Sequence, residues 1–380
     1  MGVRGLRFAH LGDVHLGSGF TYLSREQRRM RQRELQQTFT RVMEEIALKE
    51  VDLVLISGDL LEYDMADKSL MRLINDGLAM VHCPVVMIAG NHDPLLPDSP
   101  YLTNSWPENV HLFQEEGWQV LHLKDLNAAV VGLSYQVPED KLPRLTSIPV
   151  LDDPAAYKIV LVHGSYSEIE PFSSPYIPIT KEQLQKVPVD YVALGHYHNF
   201  QIIHDASGQV KGCYPGSPEP LDFSETGLHG FVLGEILPNN EVEIQLVPMS
   251  KRQYFNRTVD ISGSRVIQDI RDRIQSVITE GTDDLWSLEL SGELDADINL
   301  DFDWLLEELK EQVFFMRLRS QVVPTYNLEE LKKRPGVVAY FISYMEGVME
   351  QAETDSARVL ARKAMNTGLD ALLKGEVKKR

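Results

Sequence analysis

The stretch Val51-Asp52-Leu53-Val54-Leu55-Ile56-Ser57-Gly58-Asp59 carries an apolar run straight into a glycine and a carboxylate. A run apolar on both faces is the mark of a strand buried from both sides, as in the parallel sheets of α/β proteins. The pattern recurs outward along the chain. Leu6–Leu11 leads into Asp13-Val14-His15, and 85–89 into Gly90-Asn91-His92-Asp93. Further on, 159–162 leads into His163-Gly164 and 191–194 into Gly195-His196-Tyr197-His198. Strands of one sheet that all finish in hard or borderline metal ligands converge on one point, which predicts a two-metal hydrolytic site.

Between these strands the periodicity changes. Residues 24–50 read as a long charged helix with an apolar stripe at Leu35, Phe39, Val42 and Ile46, and 68–81 as a second helix. Shorter strands follow at 120–123 and 129–133. After Cys213 the chain turns β-rich, with 231–236 and 242–247 separated by Pro238-Asn239-Asn240. Alternating βαβ units followed by antiparallel strands predict an α/β sandwich of two sheets flanked by helices, not a simple doubly wound sheet. A boundary is expected near 250–255. Beyond it, strands at 255–261, 286–290 and 314–318 alternate with helices at 264–280 and 302–311, a small α/β module. The tail from 328 to 380 reads as mostly helical. The expected division is therefore 1–252, 253–324 and 325–380.

The chain has 380 residues, 43% hydrophobic and 24% charged, the balance of a soluble globular protein large enough for more than one domain. Cys83 and Cys213 are far apart and make no disulfide or metal framework, which fits a reducing cytosol. The opening apolar segment is too short for a signal sequence, and no stretch approaches the roughly 18 apolar residues of a membrane span. A cytoplasmic protein without a membrane segment is expected. The net charge of −19 weighs against tight independent binding of nucleic acid, because phosphate neutralisation supplies most of that affinity. Arg25, Arg28, Arg29, Arg31 and Arg33 form the one strong basic cluster, read either as a phosphate-backbone contact or as a solvated helix face.

Each motif has its chemistry. Asp13 and His15, at i and i+2 of an extended segment, point the same way and can hold one ion together. Asp59, with two carboxylate oxygens, is the natural bridge between two ions. Asn91 offers a neutral carbonyl oxygen, and His92 beside it is placed to donate a proton rather than to bind metal. His196 and His198 share one side of an extended turn, and His163 adds a further imidazole. Glycines at 58, 90, 164 and 195 allow tight turns and close backbone approach. None of the 11 histidines lies beyond His229, so imidazole chemistry is confined to the first domain. His10 reads as a satisfied core residue, while His204 and His229 are at best loop residues or partners of ligands.

The order D-x-H, GD, GNHD, H, GHxH resembles the calcineurin-like metallophosphoesterases over about the first 250 residues. Within them the closer likeness is to the SbcD-type nuclease subunit of the bacterial SbcC–SbcD DNA-repair complex. It rests on the stretch from Phe8 to Gly17, on that from Val51 to Leu60, and on Tyr214-Pro215-Gly216-Ser217-Pro218-Glu219-Pro220. The resemblance implies a metallophosphoesterase sandwich with a DNA-capping domain and C-terminal helices that bind the ATPase's coiled coil. Asp13, His15, Asp59 and His198 would hold one metal, and Asp59, Asn91, His163 and His196 the other. His92 would be the general acid, with Asp93 as its orienting partner. Mixed His, Asp and Asn ligands fit Mn²⁺ best, then Fe or Zn, with Mg²⁺ behind them. DNA as substrate, an SbcC-like ATPase and a homodimer are the implied partners.

Departures from that pattern begin after Asp59-Leu60, where Leu61-Glu62 stands in place of the usual Phe-Asp. The segment that follows is acidic. A phosphoesterase for small nucleotides or phosphoproteins is the competing enzyme, and a scaffold with a vestigial site the non-enzyme alternative. In the tail, Val337, Tyr340, Phe341, Tyr344, Met345, Val348 and Met349 form a wide apolar face, echoed by Leu360, Ala364 and Leu372. That face either packs on its own chain or docks a coiled coil.

Overall fold

The computed structural model describes residues 4–149, 155–278, 283–298 and 300–374. The chain divides into two compact units, Met1–Tyr254 and Phe255–Arg380.

The first unit is a sandwich of two six-stranded sheets. Its strands, in chain order, are β1 (Leu6–Leu11), β2 (Leu53–Ser57), β3 (Val85–Ile88), β4 (Val110–Leu112), β5 (Gln119–Leu123) and β6 (Ala128–Leu133). They continue with β7 (Tyr157–His163), β8 (Tyr191–Gly195), β9 (Gln201–His204), β10 (Val210–Tyr214), β11 (Gly230–Ile236) and β12 (Val242–Pro248). One sheet has the order β12-β11-β1-β2-β3-β4, the other β9-β10-β8-β7-β6-β5. Both are mixed. In the first, β1 to β4 run parallel while β11 and β12 pair antiparallel; in the second, β6, β7, β8 and β10 run parallel.

The alternation of side chains explains the layers. Phe8, Leu53, Leu55, Val86 and Ile88 meet Val130, Ile159, Leu161, Tyr191 and Ala193 in the space between the sheets. The intervening residues of the second sheet, among them Val131, Val160, Val162, Val192 and Leu194, are buried on its other face against Ile177, Ile179 and Leu184. Helix α1 (Arg25–Leu48) starts at a capping box between Ser24 and Gln27 and buries Leu35, Phe39, Val42 and Ile46, the stripe expected from its periodicity. It packs with α2 (Lys68–Leu78), where Gly77 lets the backbone lie against the Phe39 ring.

The strands that lead into the candidate ligands therefore come from both sheets, not from one. β1, β2 and β3 belong to the first, and β7 and β8 to the second. Strands β4, β9 and β10 have no counterpart in the sequence-based reading: β4 has three residues, Gln201 and His204 of β9 face solvent, and β10 is interrupted by Lys211 and Gly212.

In the second unit a three-stranded sheet, β13 (Tyr254–Asp260), β14 (Leu285–Ser291) and β15 (Phe315–Ser320), packs with α3 (Ile267–Val277) and α4 (Phe302–Leu309). Two longer helices follow, α5 (Val337–Glu350) and α6 (Asp355–Lys374). The wide apolar face of the tail splits in two. Ile342 and Met345, with Phe341 and Met349, pack with Met365 and Leu369 of α6. Val337, Tyr340, Tyr344 and Val348 are exposed on α5, as is Leu360 on α6. Among the described residues no helix is long and apolar enough to cross a membrane.

Candidate metal centre

Five strand ends meet across the sandwich, and Ser57 at the end of β2 is the pin. Its carbonyl accepts from His163 Nδ1 at 2.9 Å, and its hydroxyl donates to the Leu194 carbonyl at 3.1 Å, both partners lying on the other sheet. The sheets approach so closely that a Cβ on Gly195 would lie 2.1 Å from the Ser57 carbonyl oxygen.

The loops beyond the strands leave extended geometry at once. Asp13, His15 and Asp59 have φ near +50°, at 52°, 49° and 51°, and His196 has φ 111°. This region is costly for residues with a Cβ and tends to mark functional sites. The Asp13/His15 pair thus converges through left-handed kinks rather than by the alternation of an extended strand. The kinks are fixed by backbone bonds from Asp13 N to Gly58 O (3.1 Å) and from His15 N to Asp59 O (3.0 Å).

All seven expected ligands, Asp13, His15, Asp59, Asn91, His163, His196 and His198, come together in this one place. Asp59 Oδ2 stands 3.6 Å from His15 Nε2 and 3.3 Å from His163 Nε2. His163 Nε2 also faces Asn91 Oδ1 at 2.9 Å, and His196 Nδ1 faces the same oxygen at 3.2 Å. On the other side His15 Nε2 and His198 Nε2 approach to 3.1 Å. His196 and His198 do not act on one side of a turn; they serve opposite halves of the centre. Asp13 accepts the His196 backbone N–H on both oxygens, at 3.0 and 3.1 Å.

Carboxylate partners fix how the imidazoles point. His15 Nδ1 lies 2.8 Å from Glu62 Oε1, and His198 Nδ1 2.7 Å from Glu225 Oε1. An ionised carboxylate only accepts, so each ring carries its proton on Nδ1 and, when neutral, turns a lone pair on Nε2 toward the other ring. Two lone pairs at that separation repel one another unless a proton or a metal ion lies between them. The same logic applies to His163, whose Nδ1 proton is taken by the Ser57 carbonyl. Asp59 Oδ2 is buried with no hydrogen-bond partner, an atom that is expensive to bury unless it binds a cation. The donor set therefore fits two divalent ions.

Electrostatics point the same way. Burial works to lower His198 and His163, but Glu225 for the first and Asp59 with Asp13 for the second raise both to about 9. Positive charge is favoured at both places. His196, by contrast, is lowered to about 3 by burial and by the charge of His163, so it is held neutral as a donor of a lone pair.

Residues 6–200 match the calcineurin-like phosphoesterase family. The chain belongs to that family. Its site brings clusters of Asp and His together at strand ends, among them Asp13, His15 and His198, and Asp13, Asp59 and His163. An uncharacterized metallophosphoesterase of Bacillus subtilis, YhaO, is 28% identical over 370 residues, spanning 86% of this chain and 84% of its own. The DNA double-strand break repair protein Mre11 of Methanopyrus kandleri is 28% identical over 71% of this chain and 62% of its own. The SbcD component of the nuclease SbcCD of Escherichia coli is 25% identical over 63% of this chain and 66% of its own.

The surroundings of the centre depart from the sequence-based expectation at several residues. Asp93 does not touch the His92 ring. It is buried, and its carboxylate accepts from the backbone N–H groups of Asp59, Leu60, Leu61 and Gly90 and from the Tyr101 hydroxyl. It therefore shapes the Asp59 and Gly90 turns, and burial together with the Asp59 charge raises it to about 6. The partner of His92 is Glu62, whose Oε2 lies 3.0 Å from His92 Nδ1. Nothing in the sequence points to Glu225. Its loop position carries no motif, whereas Glu62 is visible as a departure from the family pattern. Finally, Arg31 leaves the basic cluster: it is fully buried, ion-paired to Glu34 at 2.8 Å and Glu219 at 3.0 Å. His229, buried and bonded to Ser217, stands behind Glu225 in the same chain of contacts.

Proposed function

We propose that the chain is a two-metal phosphodiesterase that cuts DNA, working as the nuclease partner of an SbcC-like coiled-coil ATPase. The observation that carries the chemistry is the buried Asp59 Oδ2, which makes no hydrogen bond and lies within ion-pair distance of Nε2 of both His15 and His163. Asp13, His15, Asp59 and His198 would hold one ion, and Asp59, Asn91, His163 and His196 the other, with Mn²⁺ suited to this mixed donor set. When bound, two such ions neutralise the phosphate charge and supply hydroxide near neutral pH.

The chain's own residues do the rest. His92 sits beside the centre with its ring half exposed. Its backbone N–H donates to Asp59 Oδ1 at 2.8 Å, which fixes the turn, and the Glu62 carboxylate on Nδ1 raises its pKa. An imidazole whose protonated form is favoured by a carboxylate on Nδ1 suits protonation of the leaving oxygen. Asp93 and Ser57 hold the turns that set these distances.

The choice of DNA is supported by the likeness to Mre11 and to the SbcCD nuclease, and by the second unit, which a phosphatase of small substrates does not need. The exposed face of α5 suits a helical partner. The net charge of −19 favours a second reading, hydrolysis of small nucleotides or phosphoproteins at the same centre. Protein loaded with Mn²⁺ is expected to hydrolyse bis(p-nitrophenyl) phosphate, and Asp59→Ala to abolish this; unchanged turnover in that variant would remove the metal assignment. Digestion of linear duplex DNA, with and without the ATPase, then separates the substrates. Rapid cleavage of nucleotides with DNA left intact under both conditions selects the second reading.

A further inference from the structure

His10 lies on the inner face of β1, in the space between the two sheets, and both of its ring nitrogens are engaged. Nε2 stands 3.1 Å from Ser57 Oγ and Nδ1 3.0 Å from the Tyr191 hydroxyl. Burial lowers the imidazole from 6.5 to about 3, so the ring is neutral. A neutral imidazole has one N–H and one lone pair, and its neighbours decide which nitrogen carries which. Ser57 gives its hydroxyl proton to the Leu194 carbonyl at 3.1 Å. Its oxygen must then accept from His10 Nε2–H, which leaves Nδ1 to accept from the Tyr191 hydroxyl. The result is one directed chain, from Tyr191 through His10 and Ser57 to Leu194. It leaves β8, crosses to β1 and β2, and returns to β8.

The ends of this chain show what it can hold. Ser57 O accepts from His163 Nδ1 at 2.9 Å. Leu194 stands just before Gly195 and His196, and Gly195 pairs with His163 across β7 and β8. Two of the candidate imidazoles, His163 and His196, thus depend on Ser57. The other two are braced by carboxylates from loops, His15 by Glu62 at 2.8 Å and His198 by Glu225 at 2.7 Å.

We propose that His10 is a positioning residue for one half of the metal centre, setting His163 and His196 through Ser57. The proposal rests on the assignment of two ions to this site. The half concerned is the one that His163 and His196 form with Asp59 and Asn91. An apolar residue at position 10 frees the Ser57 hydroxyl to rotate and lets the ends of β2 and β8 part, so that the two rings lose their common aim. Partners standing behind metal ligands are worth about 10–100-fold in affinity.

The test measures Mn²⁺ affinity by equilibrium dialysis in two backgrounds. His198→Ala keeps the half built on His163 and His196, and His163→Ala keeps the half built on His15 and His198. His10→Leu, Tyr191→Phe and His10→Gln are each added to both backgrounds and to the wild type, with melting temperature recorded without metal. In His198→Ala, adding His10→Leu is expected to weaken Mn²⁺ on the order of tenfold or more. Tyr191→Phe should act in the same direction by less. His10→Gln, whose amide can donate to Ser57 and accept from Tyr191, should restore most of the loss. In His163→Ala none of the three should shift affinity by more than about twofold, as for independent sites. In the otherwise wild-type chain, His10→Leu is expected to lose the exchange-coupled electron paramagnetic resonance signal of a Mn²⁺ pair at metal concentrations that saturate the wild type. Equal weakening in both backgrounds overturns the proposal and makes His10 a general support of the core. So does a lower melting temperature with affinity unchanged in both. If His10→Leu does not fold, Tyr191→Phe decides, and unchanged affinity in the His198→Ala background overturns the proposal. A wild-type chain that binds fewer than two Mn²⁺ removes the two-ion assignment itself, and the role of His10 falls with it.

Discussion

Arg31 shows how a single side chain changes meaning once its surroundings are known. Its guanidinium donates to Glu34, Glu219 and the Pro220 carbonyl, and Arg252 closes the group by donating to Glu34. Replacing it by methionine leaves two buried carboxylates short of a partner, which costs about 3–5 kcal/mol. Urea unfolding of Arg31→Met should show that loss as a lower midpoint at unchanged slope; a variant as stable as wild type would return Arg31 to the surface cluster. His10 supports a different prediction. It is buried between the Tyr191 hydroxyl (3.0 Å) and Ser57 Oγ (3.1 Å), and burial lowers it from the ordinary 6.5 to about 3. The unfolded chain therefore binds this proton first. The stability contributed by neutral His10 is complete above pH 6.5 and is lost as pH falls toward 3, with a slope approaching about 1.4 kcal/mol per pH unit. In His10→Gln, which keeps polar contacts without titrating, the stability curve should be flatter by that amount between pH 6 and 4 (roughly, by the same linkage). Identical curves would show that His10 is not held neutral.

At the scale of elements, the site depends on how near β8 comes to β2. The absent Cβ of Gly195 would meet Ser57 O at 2.1 Å and His163 Nδ1 at 2.8 Å. Gly195→Ala must then push the end of β8 away from the first sheet and carry His196 and His198 with it. A stability loss of about 1–3 kcal/mol is expected from overpacking, together with a fall in turnover on the order of 100-fold from displaced ligands. Turnover that falls no further than stability predicts would place the centre away from this contact. That contact is invisible in the sequence, for a physical reason. β1, β2, β3, β7 and β8 are legible because buried strands are written as mostly apolar runs, interrupted only by Arg7 and His10 in β1 and by Lys158 in β7. Their assignment to two sheets depends on register with strands far along the chain, for which a local pattern holds no information. The polar ends are equally legible as ligand types. Their convergence through left-handed Asp13, His15 and Asp59 is not, because nothing in the type of a residue announces a positive φ. Glu225 is the extreme case, a carboxylate in an unremarkable loop that becomes the partner of His198 only when β10 and β11 bring it there.

At the scale of the molecule, the two units divide the labour unequally. Every residue of the candidate centre precedes Gly230, and the network that braces it ends at Arg252, whose guanidinium reaches Glu34 of α1. Tyr254 caps the same region, its hydroxyl 2.6 Å from that of Tyr22. Among the described residues, these two cores of the sandwich draw on positions up to 244. A fragment of residues 1–254 is therefore expected to fold and to hydrolyse bis(p-nitrophenyl) phosphate within about threefold of the full chain, a difference of roughly 0.6 kcal/mol in the barrier. The same fragment should lose most activity on duplex DNA, since an acidic sandwich has little means of holding a polyanion away from its ions. Circular dichroism, bound Mn²⁺ and turnover on the two substrates measure this directly. Parallel loss on both substrates in a folded, metal-loaded fragment would mean that Phe255–Arg380 completes the catalytic centre itself. Full retention on DNA would mean that the second unit serves the partner and not the substrate, leaving the exposed face of α5 as its working surface.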